Sequence, residues 1–101
     1  MADLVKDFYE WRATTDGEKV YQEVVRRARV IRERGFRHFG IRCIWEVIRY
    51  DYAVQLGPDH GFRLNDHYHA FIAREVMRNN TDLEGFFELR TSVADDVDLA
   101  S

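Results

Sequence analysis

The chain has 101 residues, 46% of them apolar and 14% aromatic, which bounds it to one small domain with a single core. Its one cysteine, Cys43, excludes an intrachain disulfide framework and fits a reducing cytoplasm. No stretch approaches the ~20 apolar residues of a spanning helix, and the acidic start (Asp3, Asp7 and Glu10) is unlike a signal peptide, so the expectation is a cytoplasmic protein that engages no membrane.

The net charge of −3 conceals three blocks. Residues 1–23 carry six acids and three bases, or −3. Residues 26–49 carry eight arginines against Glu33 and Glu46, or +6. Residues 51–101 carry four bases and ten acids, or −6. The planar guanidinium suits bidentate contacts to phosphate or carboxylate, so the middle block is matched either by an external polyanion or by acids of the same chain.

In chain order, residues 3–13 read as a short helix, with Leu4, Val5, Phe8 and Trp11 at helical steps. Thr14–Glu18 interrupts it, and Thr15 with Glu18 has the spacing of a capping box. A second helix is predicted from about Asp16 to Arg34, with Val20, Tyr21, Val24, Ala28 and Ile31 as its apolar stripe. Arg26, Arg27, Arg29 and Arg34 fall largely on the opposite face, and Gly35 is a C-terminal stop. A third helix, Ile41 to Leu56, has the cleanest period in Ile41, Ile44, Trp45, Ile48 and Tyr52, and Gly57-Pro58 ends it. It is the expected central core helix.

Phe62–Leu64 alternates apolar and polar residues and reads as a minor strand. Asn65 or Asp66 caps a fourth helix, which runs to about Asn79 and buries Tyr68, Phe71, Ile72 and Val76. Phe86–Arg90 is a second candidate strand, paired with the first. The fold class expected is therefore mainly α, about four helices with a small two-stranded β element, in one domain over residues 1–90. Residues 91–101, with Asp95, Asp96 and Asp98, read as an acidic disordered tail.

Three sets of side chains are candidates for function. Arg26, Arg27, Arg29, Arg34 and Arg37, with Phe36, Phe39 and Trp45 nearby, suit phosphate binding with counterion release. Arg63, Arg74 and Arg78 add candidate base or backbone contacts on or beside the fourth helix. The competing reading of all eight is a solvated surface paired with the chain's own acids. His60, His67 and His69, near Asp59, Asp66 and Glu75, are weak metal or catalytic candidates. His67 and His69 point ~200° apart on a helix and cannot share a metal there. Adjacent strand residues face opposite ways, so one of Phe86 and Phe87 is expected to leave the core and offer a contact for a protein partner or a second copy. Trp11, Trp45, Tyr50, Tyr52, Phe86 and Phe87 otherwise read as core, and Cys43 as packing rather than nucleophile. No glycine-rich phosphate loop is present, and nothing calls for a cofactor.

A longer pattern runs through the second half: Phe62-Arg63-Leu64-Asn65-Asp66-x-Tyr68, then Ala73-Arg74-x-x-Met77, then Leu83-x-Gly85-Phe86-Phe87-Glu88-Leu89-Arg90, preceded by Ile44–Arg49. Over about half the chain it resembles a family of small, functionally uncharacterised bacterial and phage proteins. The resemblance implies a compact, mostly helical domain with a small ribbon, similar to winged-helix modules, and no established activity. Its occurrence around mobile elements implies an association with nucleic acid, by analogy alone. The leading expectation is a non-enzymatic DNA- or RNA-binding protein. The alternative is a homodimeric protein-interaction module without nucleic-acid binding.

Overall fold

Four α-helices follow one another in the computed structural model of the chain, which describes residues 3–59 and 61–89. They are α1 (Leu4–Arg12), α2 (Thr15–Glu33), α3 (Ile41–Leu56) and α4 (His69–Asn79). Single 3-10 turns at Asp66–Tyr68 and Thr81–Leu83 bracket α4. The long helix α2 packs against α1, α3 and α4, and α3 packs against α4. Arg27 meets Asp51, and Ile31 shares a groove with Val47, so α3 returns antiparallel to α2.

Local chemistry sets the boundaries. The Asp3 carboxylate accepts from the Lys6 N–H at 3.2 Å and caps α1. At α2 the cap is Thr14, not Thr15. The Thr14 hydroxyl accepts from the Gly17 N–H at 3.1 Å, and the Glu18 carboxylate turns instead to Arg12 and Gln22. The capping box is therefore not made: the third helical residue after Thr14 is Gly17, which has no side chain to reach back. Gly17 is required for a separate reason. A Cβ there would stand 2.2 Å from the Trp11 carbonyl oxygen, so the α1–α2 corner closes only over a glycine. At the other end of α2, Gly35 takes φ +102°, a left-handed conformation that stops the helix as expected.

The core draws one stripe from each helix. Phe8, Val20, Val24, Ala28, Trp45, Ile48, Phe71, Ile72 and Val76 are essentially inaccessible. Phe8 stacks on Phe71 at 4.7 Å between ring centroids, and Trp11 meets Trp45 edge-on at 6.2 Å, which ties α1 to α3 and α4. Three expected core aromatics differ. Trp11 and Tyr52 are only partly buried against the core, and Tyr50 is 69% exposed because it lies across α3 from the stripe of Ile41, Ile44, Trp45 and Ile48.

The two-stranded element is a correction. Among the described residues there is no strand, only an isolated parallel bridge between Phe39 and Phe87. The backbone groups of the two segments are used elsewhere. The Leu64 carbonyl accepts from Arg49 at 2.7 Å. The Phe86 N–H donates to the Leu83 carbonyl, and the Phe86 carbonyl accepts from the Phe39 N–H, both at 3.0 Å. The Phe87 N–H points at Met77 Sδ at 3.3 Å. With no ribbon, the winged-helix expectation loses its wing. The expected tail, 91–101, and Arg90 at the end of the second candidate strand lie outside the described residues. No helix is long and apolar enough to cross a membrane among those residues.

Candidate nucleic-acid interface

The arginines of the basic block divide into two groups. Arg26 holds Glu23 with two hydrogen bonds, Nε at 3.1 Å and Nη2 at 2.9 Å. Arg27 bridges Glu23 at 3.1 Å to Asp51 on α3. Arg29 reaches across to Asp82 at 3.0 Å and Asn80 at 3.0 Å. Arg49 joins Glu46, Asp66 and the Leu64 carbonyl. These contacts leave their marks on the carboxyls. The hydrogen bond from Arg29 lowers the pKa of Asp82, that from Arg49 lowers Asp66, and that from Arg26 lowers Glu23. Three of the five arginines first assigned to a phosphate-binding face, Arg26, Arg27 and Arg29, are thus already engaged by acids of this chain.

The second group runs from the last turn of α2 (Arg32) through the connecting turn (Arg34, Arg37) to the first turn of α3 (Arg42). Arg32, Arg34, Arg37 and Arg42 are exposed and form no ion pair among the described residues, where the salt bridges involve other cations. The sequence explains why: from Arg34 to Trp45 there is no acidic residue at all. The turn is held in place rather than hanging free. The Phe39 N–H donates to the Phe86 carbonyl, and His38 Nδ1 lies 3.2 Å from the Gly85 carbonyl. Phe36 projects from it, 53% exposed, with Phe39 edge-on beneath at 5.9 Å. The site is therefore an anchored turn that exposes the ring of Phe36, with Arg34 and Arg37 on the turn, Arg32 in the last turn of α2 and Arg42 in the first turn of α3, none of them in an ion pair among the described residues. Arg34 and Arg37 were singled out in the sequence. Phe36 was read beside them, but Arg32 and Arg42 were not, although the absence of acids between Glu33 and Glu46 marks both.

The remaining candidates do not join this cluster. Arg63 donates to the Phe62 carbonyl at 2.8 Å and lines a separate depression with Arg49 and Asn65. Arg74 is half-buried and donates to the Ala70 carbonyl at 3.2 Å. Arg78 is exposed, and its Nε lies 3.4 Å from Asn79 Oδ1. Glu75, on the same helix, is taken by Arg12.

His60 lies outside the described residues. His67 is exposed, and its backbone N–H donates to the capping Asn65 side chain at 2.8 Å. His69 turns inward. Its Nδ1 and the neighbouring Trp45 Nε1 are both buried with no hydrogen-bond partner among the described residues. Burial first, and then the charge of Arg42, lowers the His69 pKa. No set of three histidine, cysteine, aspartate or glutamate side chains converges to hold a metal among the described residues. Cys43, expected in the packing, is exposed.

Phe86 and Phe87 are both buried, at 1% and 4% exposure. Without a strand there is no alternation of faces, and the segment is enclosed on both sides. Neither ring can serve as the partner contact expected of it.

Comparison with protein families, curated proteins and solved structures finds no match to this chain.

Proposed function

We propose that this is a non-enzymatic nucleic-acid-binding protein whose contact surface is the α2–α3 turn. The observation that carries the reading is the division of the arginines. Arg26, Arg27 and Arg29 of α2 are matched by acids of the chain, whereas Arg32 at the end of α2, Arg34 and Arg37 in the turn and Arg42 at the start of α3 form no ion pair among the described residues. Arginines outside ion pairs on a turn that also exposes an aromatic ring suit a single strand. The guanidinium groups track the phosphates and the ring takes the face of a base. A duplex groove would call for a projecting helix or ribbon, and the turn supplies neither. The overall negative charge is compatible with a local patch, because fields from acids on distant surfaces are screened within about 8–10 Å at physiological ionic strength.

The test is binding of a labelled single-stranded oligonucleotide over a salt series. Four phosphate contacts on a single strand correspond to a slope of roughly −3 in log affinity against log salt. Replacing Phe36 with Ala should weaken binding by about 1–3 kcal/mol without changing that slope, since stacking carries no counterion release. No binding at low salt would remove the reading.

A further inference from the structure

α3 carries a second apolar face, across the helix from the core. Cys43, Val47, Tyr50 and Val54 follow at steps of four, three and four residues, which keeps them in one sector of the helix. Val47, Tyr50 and Val54 are 40%, 69% and 66% exposed, and Cys43 is exposed too. Val30 on α2, 51% exposed, lies beside the stripe across a groove of about 270 Å³ between the two helices. Four of the seven exposed large apolar side chains of the described residues thus gather on one side of the α2–α3 hairpin. A contiguous patch of this kind marks an interaction surface, whereas scattered exposed apolar residues do not.

The charges beside the patch point to what covers it. Arg26 and Glu33 lie seven residues apart on α2, on one side of the helix and on either side of Val30. If a second α2 lies antiparallel with Val30 near a two-fold axis, Arg26 of each copy, which also holds Glu23 of its own chain, meets Glu33 of the other. Parallel alignment would set Arg26 against Arg26, a like-charge contact that disfavours it. The same two-fold axis sets Val47 over Tyr50 and Cys43 over Val54 between the α3 helices. The pattern is self-complementary, as an isologous interface requires. We propose that the α2–α3 face is a homodimer interface, on which the hairpin of a second copy packs antiparallel about an axis between Val47 and Tyr50. The interface uses none of the arginines of the α2–α3 turn and does not rest on the nucleic-acid reading.

Sedimentation equilibrium of the full chain tests the assembly, and a disulfide tests the register. The wild type should sediment at twice the chain mass of 12.0 kDa. Val47→Glu should sediment at the chain mass with its helical circular dichroism unchanged, because Val47 lies outside the core. Arg26→Glu should raise the dimer dissociation constant about tenfold through repulsion from Glu33, and Arg26→Glu combined with Glu33→Arg should restore it. Under mild oxidation Val54→Cys should give a covalent dimer through Cys43. The wild type should not, because two Cys43 residues stand about 16 Å apart along antiparallel helices, beyond disulfide reach. A wild type of single-chain mass at high micromolar concentration, a dimer that survives Val47→Glu, a wild type that cross-links through Cys43, or a Val54→Cys variant that does not cross-link would each overturn the proposal.

Discussion

Arg12 on α1 donates through Nε to Glu75 on α4 at 2.9 Å, and both side chains are more than four-fifths withdrawn from solvent. The same guanidinium reaches Glu18 at 2.8 Å and lies 4.2 Å over the ring of Tyr21. One arginine therefore joins α1, α2 and α4. Burial alone would lower its pKa, but its hydrogen bonds to Glu18 and Glu75 more than offset this and leave it raised.

Replacing Arg12 strands the Glu75 carboxylate in a half-buried setting and removes the cation from the face of Tyr21. A fully buried pair broken from one side costs ~3–5 kcal/mol. Partial exposure reduces that, and Arg12→Ala should lose about 2–3 kcal/mol in urea denaturation. Arg12→Lys should recover only part, since a point charge cannot hold Glu75, Glu18 and the ring together. In a double-mutant cycle, Arg12→Ala with Glu75→Gln should show a coupling above about 0.5 kcal/mol; additive losses would mean that the contact contributes nothing.

Gly17→Ala sets two effects against each other. Helix propensity favours alanine by about 1 kcal/mol, but the new methyl would stand 2.2 Å from the Trp11 carbonyl oxygen. Backbone must move to relieve that contact, and forced displacement of this kind costs about 1–3 kcal/mol. The net change should be a lower melting temperature. An unchanged or higher one would show that the α1–α2 corner opens freely.

His69 makes stability depend on pH above the carboxylate range. Its pKa is lowered on folding, so the unfolded chain binds the proton more readily. Stability from this group is present above the unfolded pKa of about 6.5 and is lost as pH falls towards the folded value. Chemical denaturation should show a weaker fold at pH 5.5 than at pH 7.5, and His69→Phe should flatten the difference. Equal slopes for wild type and variant would contradict this assignment. Further acidification should weaken the fold again, as Glu23, Asp66 and Asp82, all with lowered pKa values, take up protons below about pH 4.

Local signals in the sequence were enough to locate the helices. α3 runs from Ile41 to Leu56 as expected, because its apolar period and Gly57-Pro58 both act within a few residues. Thr14 displaced Thr15 as cap by a single position, within the usual uncertainty of helix ends. Phe86 and Phe87 misled because the alternation rule presumes a strand, and the hydrogen bonds a strand needs went to Phe39, Leu83 and Met77. The pairing of the arginines was beyond local reading. Arg29 meets Asp82 at a separation of 53 residues and Arg27 meets Asp51 at 24, and only the packed bundle brings them together. The acid-free run from Arg34 to Trp45 was visible throughout, as was the apolar stripe of Cys43, Val47, Tyr50 and Val54.

The most direct measurement is the salt dependence of single-strand binding by three proteins: wild type, Arg34→Ala/Arg37→Ala, and Arg26→Ala/Arg27→Ala/Arg29→Ala. The turn variant should bind more weakly, with a slope shallower by roughly 1.4 for two lost phosphate contacts, and should melt like wild type because neither arginine is paired. The α2 variant should keep its slope and melt earlier, because it loses the pairs to Glu23, Asp51 and Asp82. If the α2 variant lost binding while the turn variant kept it, phosphate recognition would lie on α2 and the assignment of the turn would be wrong.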